Sequence, residues 1–484
     1  MRKKHHSNDK ILRIHGTKKL FCLLVFSLFA CCLLLGCSRS AGALDALLLE
    51  VNSAHQEIHN DGLKSSFRKR TPLNENYQLI TLQERHTYFA RKPEPYDPEA
   101  MLSQEQMAED AAYLFDALYA CYGNYEQMGG STAFDSAEQA ILAECAQKAP
   151  LRAEDFKELL LSHLKFVKDS HFTINDTDTN PSQIPFFFRE TEFHKSEANQ
   201  YATADGKTVA AVEGYSDLDA LFRRSISPEG ELVFYPVLQK DCLSTEAYAS
   251  PQECGEQLTV HYTDGSTQVL EGEPYALSEL LQDVDFDALP NMSDLDGIPV
   301  LQLNSFLGSA SPDWQQGAQE GAKTLGASRI AILDLRFNPG GNTAAAMGWL
   351  EEYAKTPVPT NSLFFNGFAS GETTDSRDVW VENENLLIIL TSKRTASAAE
   401  QLIDAAYNLE NVLIIGENTS GSMRGSRLDV RLEHSKLTVG AGMTQAIIPS
   451  SNDYFEEYRG FYPDLWVPAG EAEELTGRLI KQLS

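Results

Sequence analysis

The chain has 484 residues, 42% of them hydrophobic and 10% aromatic, enough for a substantial core and long enough for two or three folding units. Its formal net charge of −29 argues against nucleic acid and anionic membrane surfaces as main partners, because both attract a Lys/Arg surplus. No CxxC, HExxH or clustered ligand pattern occurs, so neither a metal nor a cofactor is expected.

Arg2, Lys3, Lys4, Lys18 and Lys19 precede an apolar run from Leu20 to Leu35, which ends Leu34-Leu35-Gly36-Cys37. A basic start followed by such a run predicts a secretory signal. The Leu-x-Gly-Cys ending resembles the lipobox of bacterial lipoproteins, in which Cys37 would be lipidated and become the new N-terminus. An uncleaved membrane anchor is the other reading, although the run is short of the ~20 residues that a stable helical span needs. Either way the body is expected outside the cytoplasm, held to the membrane at one end. Removing residues 1–36 takes away seven Lys/Arg and one Asp, which leaves a body of net charge −35. Of the eight cysteines, four remain beyond the signal: Cys121, Cys145, Cys242 and Cys254. Outside the cytoplasm an even number permits two disulfides, with sequence neighbours as one pairing; free buried thiols are the alternative.

Residues 37–100 are polar with scattered Pro and charge and read as tether and irregular lead-in. A helical region follows over 101–180. Ser103 and Gln106 form a capping box ahead of a stripe through Met107, Leu114, Leu118 and Cys121. A second helix is expected around Thr132 to Ala146. A third, Ala153 to Lys168, carries Phe156, Leu160, Leu164 and Val167 on one face. It runs into Asp169-Ser170-His171-Phe172-Thr173-Ile174, which places His171 at a helix-to-strand junction. From 181 to 290 short β runs (Thr208 to Val212, Glu231 to Val237, Leu258 to Tyr262) and turns such as Asp264-Gly265 predict a β-rich insert. From 291 to 470 strands and helices alternate, as in an α/β core. Strand Val300 to Leu303 leads to a helix over Pro312 to Leu325. Strand Ile330 to Leu335 leads to Asn338-Pro339-Gly340-Gly341 and a helix through Met347, Leu350 and Tyr353. Pro357 to Asn385 reads as irregular, with Phe364, Phe365 and Phe368 expected to be exposed. An amphipathic helix with Leu475, Leu479 and Leu483 closes the chain over 471–484.

Chemistry concentrates at Ser397. The apolar run Leu386 to Leu390 predicts a buried strand, and Ala398 to Leu409 a helix, so Ser397 stands where one ends and the other begins. The first N–H groups of a helix are unpaired and partly positive, which suits a developing oxyanion. An ordinary N-cap serine has the same sequence signature. A serine nucleophile also needs a base, an orienter for that base and N–H donors. His171 is the candidate base, and Ser170 and Glu457 are candidate orienters. Gly340-Gly341 offers side-chain-free backbone that can approach a carbonyl. Each has a bland alternative: a structural histidine, a capping serine, a surface acid, a tight turn.

Together these pieces resemble the tail-specific (C-terminal processing) serine peptidases, in particular their tricorn-like and interphotoreceptor-retinoid-binding-protein-like branch. The resemblance rests on Ile332-Leu333-Asp334-Leu335-Arg336-Phe337-Asn338-Pro339-Gly340-Gly341, Thr395-Ala396-Ser397-Ala398-Ala399-Glu400, Gly416-Glu417-Asn418-Thr419-Ser420-Gly421 and Glu457-x-x-Gly460-x-x-Pro463-Asp464. Asp169-Ser170-His171 fits as a fifth block, and the set spans about residues 100 to 470. It implies a ClpP/crotonase-like core of β/α units, a peptide or protein substrate, and Ser397 as nucleophile. The oxyanion hole would come from the amides of Ala398 and of Gly340 or Gly341. In the processing-peptidase branch a dyad lysine follows the Gly of Gly-Glu-x-Thr-x-Gly. Ser422 stands there in this chain, so the resemblance implies instead the Ser–His–Ser–Glu tetrad of the tricorn-like branch: Ser397, His171, Ser170 and Glu457. With a histidine base near its reference pKa of ~6.5, activity is expected to rise from mildly acid to neutral pH.

The insert occupies the position of a PDZ domain in processing peptidases. It is PDZ-like only in Leu258-Thr259-Val260-His261-Tyr262-Thr263-Asp264-Gly265 and lacks a clean carboxylate-binding loop. A degenerate PDZ or plain structural β domain is the expectation. Two other functions fit the same fold: a non-catalytic, lipid-anchored binding protein, and a hydrolase of another acyl substrate such as an ester.

Overall fold

The computed structural model describes residues 41–62, 87–92, 94–179, 182–196, 198–242, 256–275, 284–366, 380–423, 427–447 and 454–483. Cys37, Cys254 and Phe368 lie outside them. Helix α1 (Ala41–Gly62) is the first described element and a departure from the sequence expectation, which gave this stretch an irregular lead-in. Its mean polarity conceals a stripe at 3–4 spacing. Leu44, Leu47 and Val51 are buried against the core, and side-chain bonds fix its later turns: Asn52 to Asn411, His55 Nε2 to Asp464 at 2.9 Å, His59 Nδ1 to Asn408 Oδ1 at 2.7 Å.

The helical region holds α2 (Gln104–Cys121), α3 (Gly130–Lys148) and α4 (Ala153–His163). Ser103 and Gln106 do form the capping box on α2. Helix α4 stops at His163, five residues short of the expected Lys168, and turns carry the chain on to Asp169. His171 therefore sits on a turn rather than directly at a helix end. Cys121 and Cys145 are buried and not bonded to each other, so the pairing of these sequence neighbours is not formed. Both occupy apolar-stripe positions and behave as small hydrophobes.

The insert is an eight-stranded sheet with its own core of Phe186, Phe188, Phe193, Phe222, Val260 and Leu270 among others. Its longest strand, Leu232–Cys242, pairs antiparallel with Ser182–Phe187, and Gly265 at φ 85° turns Glu256–Tyr262 back into Thr267–Pro274. The insert meets the core where the Phe187 ring packs 5.1 Å from that of Trp466.

The core is a six-stranded sheet in simple sequential order: β1 (Asn291–Leu295), β2 (Ile298–Gln302), β3 (Ile330–Asp334), β4 (Leu386–Thr391), β5 (Val412–Gly416) and β6 (Leu465–Trp466). All neighbours from β2 onward run parallel. Helices α5 (Pro312–Gly326), α6 (Thr343–Ala354) and α7 (Ala398–Ala406) cover one face, over Leu301, Leu333, Leu387, Ile389 and Ile414. α1 and α8 (Ala472–Leu483) cover the other, over Val300, Ile332, Ile388, Leu413 and Ile415. Both faces being covered explains why β4 and β5 read as unbroken apolar runs rather than as alternation. Each fully buried Ile or Leu contributes roughly 1.5–3 kcal/mol, so this sheet is the rigid part on which a site can be built. At the end of β3, buried Arg336 holds Asp334, Glu473 and the Ala469 carbonyl, tying α8 to the sheet. Between α6 and β4, the stretch expected to be irregular contains a strand, Leu363–Asn366, paired antiparallel with Thr444–Ile447.

Candidate active site

The Ser397 turn is built by its own hydroxyls. After β4, Ser392 N–H donates to Thr395 Oγ1 at 3.0 Å, Thr395 Oγ1–H donates to the Leu335 carbonyl at 2.8 Å, and the Ser392 hydroxyl donates to the Arg336 carbonyl. These bonds lock the turn onto the end of β3 and deliver Ser397 to the start of α7. Ser397 has φ 53° and ψ −115°. An ordinary N-cap residue is extended with negative φ. A non-glycine residue here costs on the order of 1–3 kcal/mol, which the surrounding structure must impose. The residue is partly exposed, and Ala398 and Ala399 beside it are buried.

The glycine turn lies directly over it. Asn338 is fully buried and organises the loop: its N–H bonds the Leu335 carbonyl, its side-chain NH2 bonds the Leu303 carbonyl, and its carbonyl accepts the Ala396 N–H. Gly340, at φ 96°, comes so close that an added Cβ would sit 2.7 Å from Ser397 Cβ and 2.9 Å from the Ala398 nitrogen. No other residue fits. The Gly340 N–H is already used, donating to Asn338 Oδ1 at 2.8 Å. The N–H groups of Gly341 and Ala398 donate to no other described group. Of the two glycines the sequence left open, Gly341 is thus the one with a donor to offer, and Gly340 supplies the clearance.

Glu400, which the sequence reading left without a role, is the hub. It is fully buried one turn into α7 and accepts five hydrogen bonds: Ser397 N–H (3.0 Å), Thr419 Oγ1 (2.6 Å), Gly421 N–H (2.7 Å), Ser422 N–H (2.8 Å) and the Ser422 hydroxyl (3.3 Å). Burial raises its pKa, against the pull of these donors. The Ser397-x-x-Glu400 spacing of a capping box was the signal that could have found it. Through Glu400 the loop Gly416–Ser422 is held against the Ser397 turn. That loop also seats the Glu457 turn: Tyr458, at φ 74°, donates its N–H to the Gly421 carbonyl at 2.7 Å, and Gly460 lies against Thr419. Both Glu457 carboxylate oxygens are shielded from solvent. Lys393 Nζ bridges the Thr419 and Arg459 carbonyls at 2.9 and 3.3 Å, and burial pushes its pKa down to about 8. Ser422, where a dyad lysine would stand, is buried against Glu400.

In the same loop, burial raises the Glu417 carboxyl from 4.5 to about 7, with the Ala469 N–H at 2.9 Å as a partner. The folded chain therefore holds this proton more tightly than the unfolded chain does. Glu417 favours folding at acid pH, and that advantage is lost as pH rises from about 4.5 through about 7. Glu417→Gln is expected to flatten this fall in thermal stability, measured as Tm against pH. An unchanged profile would contradict it.

Ser170 and His171 are built on a separate piece. Strand Thr173–Ile174 pairs with Thr438–Gly442, the return strand of the hairpin that follows the Ser422 loop. Side chains of that hairpin, Val430, Leu432, Leu437 and Val439, share a core with α2 to α4. The helical region is thus joined to the same end of the sheet as Ser397. His171 is partly exposed, while its Nδ1 is shielded from solvent and 3.8 Å from Oδ1 of buried Asp169. The sequence reading also gave Asp169 no role; its place two residues before His171 is the spacing of an Asx turn. No described cluster of His, Cys, Asp and Glu could hold a metal.

Residues 297–467 match the sequence model of peptidase family S41. The matched stretch covers the α/β core and leaves the helical region and the insert outside it. The match begins at β2 and ends just after β6, so it contains the Asn338–Gly341 turn, Ser397, Glu400 and Glu457. Solved structures similar to the chain include mature CPAF complexed with lactacystin, at 13% identity over 78% of this chain and 99% of that one (TM-score 0.41). The photosystem II D1 C-terminal processing protease is 17% identical over 79% and 97% (0.36), and a lipoprotein from Streptococcus agalactiae 12% over 78% and 96% (0.38). These three likenesses carry no inference about activity.

Proposed function

We propose that the protein is an extracytoplasmic, lipid-anchored endopeptidase that cleaves peptide bonds through Ser397, His171, Ser170 and Glu457. The observation that carries this reading is the Ser397 turn. A serine is held at φ 53° at a helix start, under a glycine turn, with two undonated N–H groups beside it. Ser397 Oγ attacks the substrate carbonyl as His171 takes its proton. The N–H groups of Ala398 and Gly341 receive the oxyanion. Ser170 and Glu457 steady the imidazolium, which then protonates the leaving amine, and water resolves the acyl-enzyme. Lipidation of Cys37 would keep the site at the outer face of the membrane, where the acidic body is repelled by anionic headgroups. The test is hydrolysis of a quenched fluorescent peptide library by the detergent-solubilised full chain. Ser397→Ala is expected to lose all turnover; retained turnover would end the assignment.

A further inference from the structure

We propose that Asp169 is the positioning residue that fixes His171 for catalysis, as the buried carboxylate behind its Nδ1. The proposal rests on reading His171 as the general base. Asp169 is fully buried. Its Oδ1 accepts the His171 main-chain N–H at 2.9 Å, and its Oδ2 accepts the Tyr122 hydroxyl at 2.8 Å and the Asn124 amide at 3.0 Å. Tyr122 and Asn124 follow α2, and Gly123 between them donates its N–H to the Gly442 carbonyl at 2.8 Å. The Tyr122 ring packs against Phe134 and Phe172. The acid is therefore held from three sides, by groups anchored to the hairpin that carries the His171 strand.

A turn alone does not require this arrangement. A neutral Asn accepts a main-chain N–H as well as Asp does, and a buried charge is costly unless it meets an opposite one. Among the described residues, the side chains placed against Asp169 are the Tyr122 hydroxyl, the Asn124 amide and the His171 imidazole, and of these the imidazole is the one that can become a cation. The 3.8 Å between Nδ1 and Oδ1 needs a closure of under an ångström to become a hydrogen bond, and catalytic hydrogen bonds are commonly long until substrate arrives. Asp169 would share Nδ1–H with the Ser170–Glu457 pair and keep Nε2 turned toward the serine proton.

The experiment compares full chain in detergent with Asp169→Asn and Asp169→Glu, reading kcat and KM on one peptide substrate across pH. For Asp169→Asn the expected result is a fall in kcat of about 10- to 1000-fold with KM within about twofold. The acid limb of kcat/KM should move down by about one pH unit, because a carboxylate no longer favours the imidazolium. Asp169→Glu keeps the charge and should keep the limb in place. A kcat within twofold of the parent, or a lower kcat with an unmoved limb, would overturn the proposal. If Asp169→Asn does not fold, Tyr122→Phe takes one donor from the carboxylate, strengthens its hold on the imidazolium and should move the acid limb up; an unmoved limb overturns the proposal. Failure of the underlying reading looks different: His171→Ala would then retain activity whatever Asp169 does.

Discussion

Ser397→Gly is expected to abolish peptide hydrolysis while making the folded chain more stable. Ser397 sits at φ 53°, ψ −115°, a region that costs a side-chain-bearing residue on the order of 1–3 kcal/mol. Glycine relieves that strain and gives back roughly 0.5–1 kcal/mol through the greater freedom of the unfolded chain. A net gain of about 1 kcal/mol remains, a rise of about 2 °C in Tm for a fold of this size. Ser397→Ala keeps the strain and should leave Tm near that of the parent. Both lose the hydroxyl, so kcat/KM should fall by at least about 10⁴-fold. A serine that merely capped α7 would behave in the opposite way, since losing a cap costs stability and leaves activity alone. Differential scanning calorimetry with a peptide assay separates the two.

The second large effect is expected from Glu400→Ala, with a loss of about 4 kcal/mol or more and no measurable turnover. The substitution strands the N–H groups of Ser397, Gly421 and Ser422 and the Thr419 hydroxyl in a site without solvent. Each buried donor left alone costs roughly 1–3 kcal/mol, and losses above about 4 belong to the breaking of such networks. Activity goes as well, because Glu400 joins the Ser397 turn to the loop that seats the Glu457 turn. Glu400→Gln, which keeps one acceptor oxygen and turns the other into a donor, should fall between. Urea unfolding is the measurement, and a Glu400→Ala loss under about 1 kcal/mol would contradict the hub.

Much of this was legible before any coordinates. Apolar runs such as Leu386–Leu390 announce strands buried on both faces, and the block around Ser397 announces a strand-to-helix junction. What the sequence hides is which backbone groups are already used. Gly340 and Gly341 look equivalent as letters, and only the bond from Gly340 N–H to Asn338 separates them. Glu400 reads as one helix acid among many, because its partners lie 19 to 22 residues away in a loop. Asp169 likewise meets donors 45 and 47 residues back. Helix α1 was missed for another reason: its apolar stripe is thin, and its polar face includes histidines that are buried by partners far along the chain. Long-range partners, not local propensity, decided each of these.

The measurement that bears most directly on the central claim is intact-mass analysis of the full chain after exposure to a fluorophosphonate, alongside Ser397→Ala and His171→Ala. One adduct per parent chain, none on Ser397→Ala and a rate reduced by about 10³-fold or more on His171→Ala would establish a serine activated by that histidine. Equal labelling of His171→Ala and the parent would contradict the base, and an unlabelled parent would contradict the nucleophile itself.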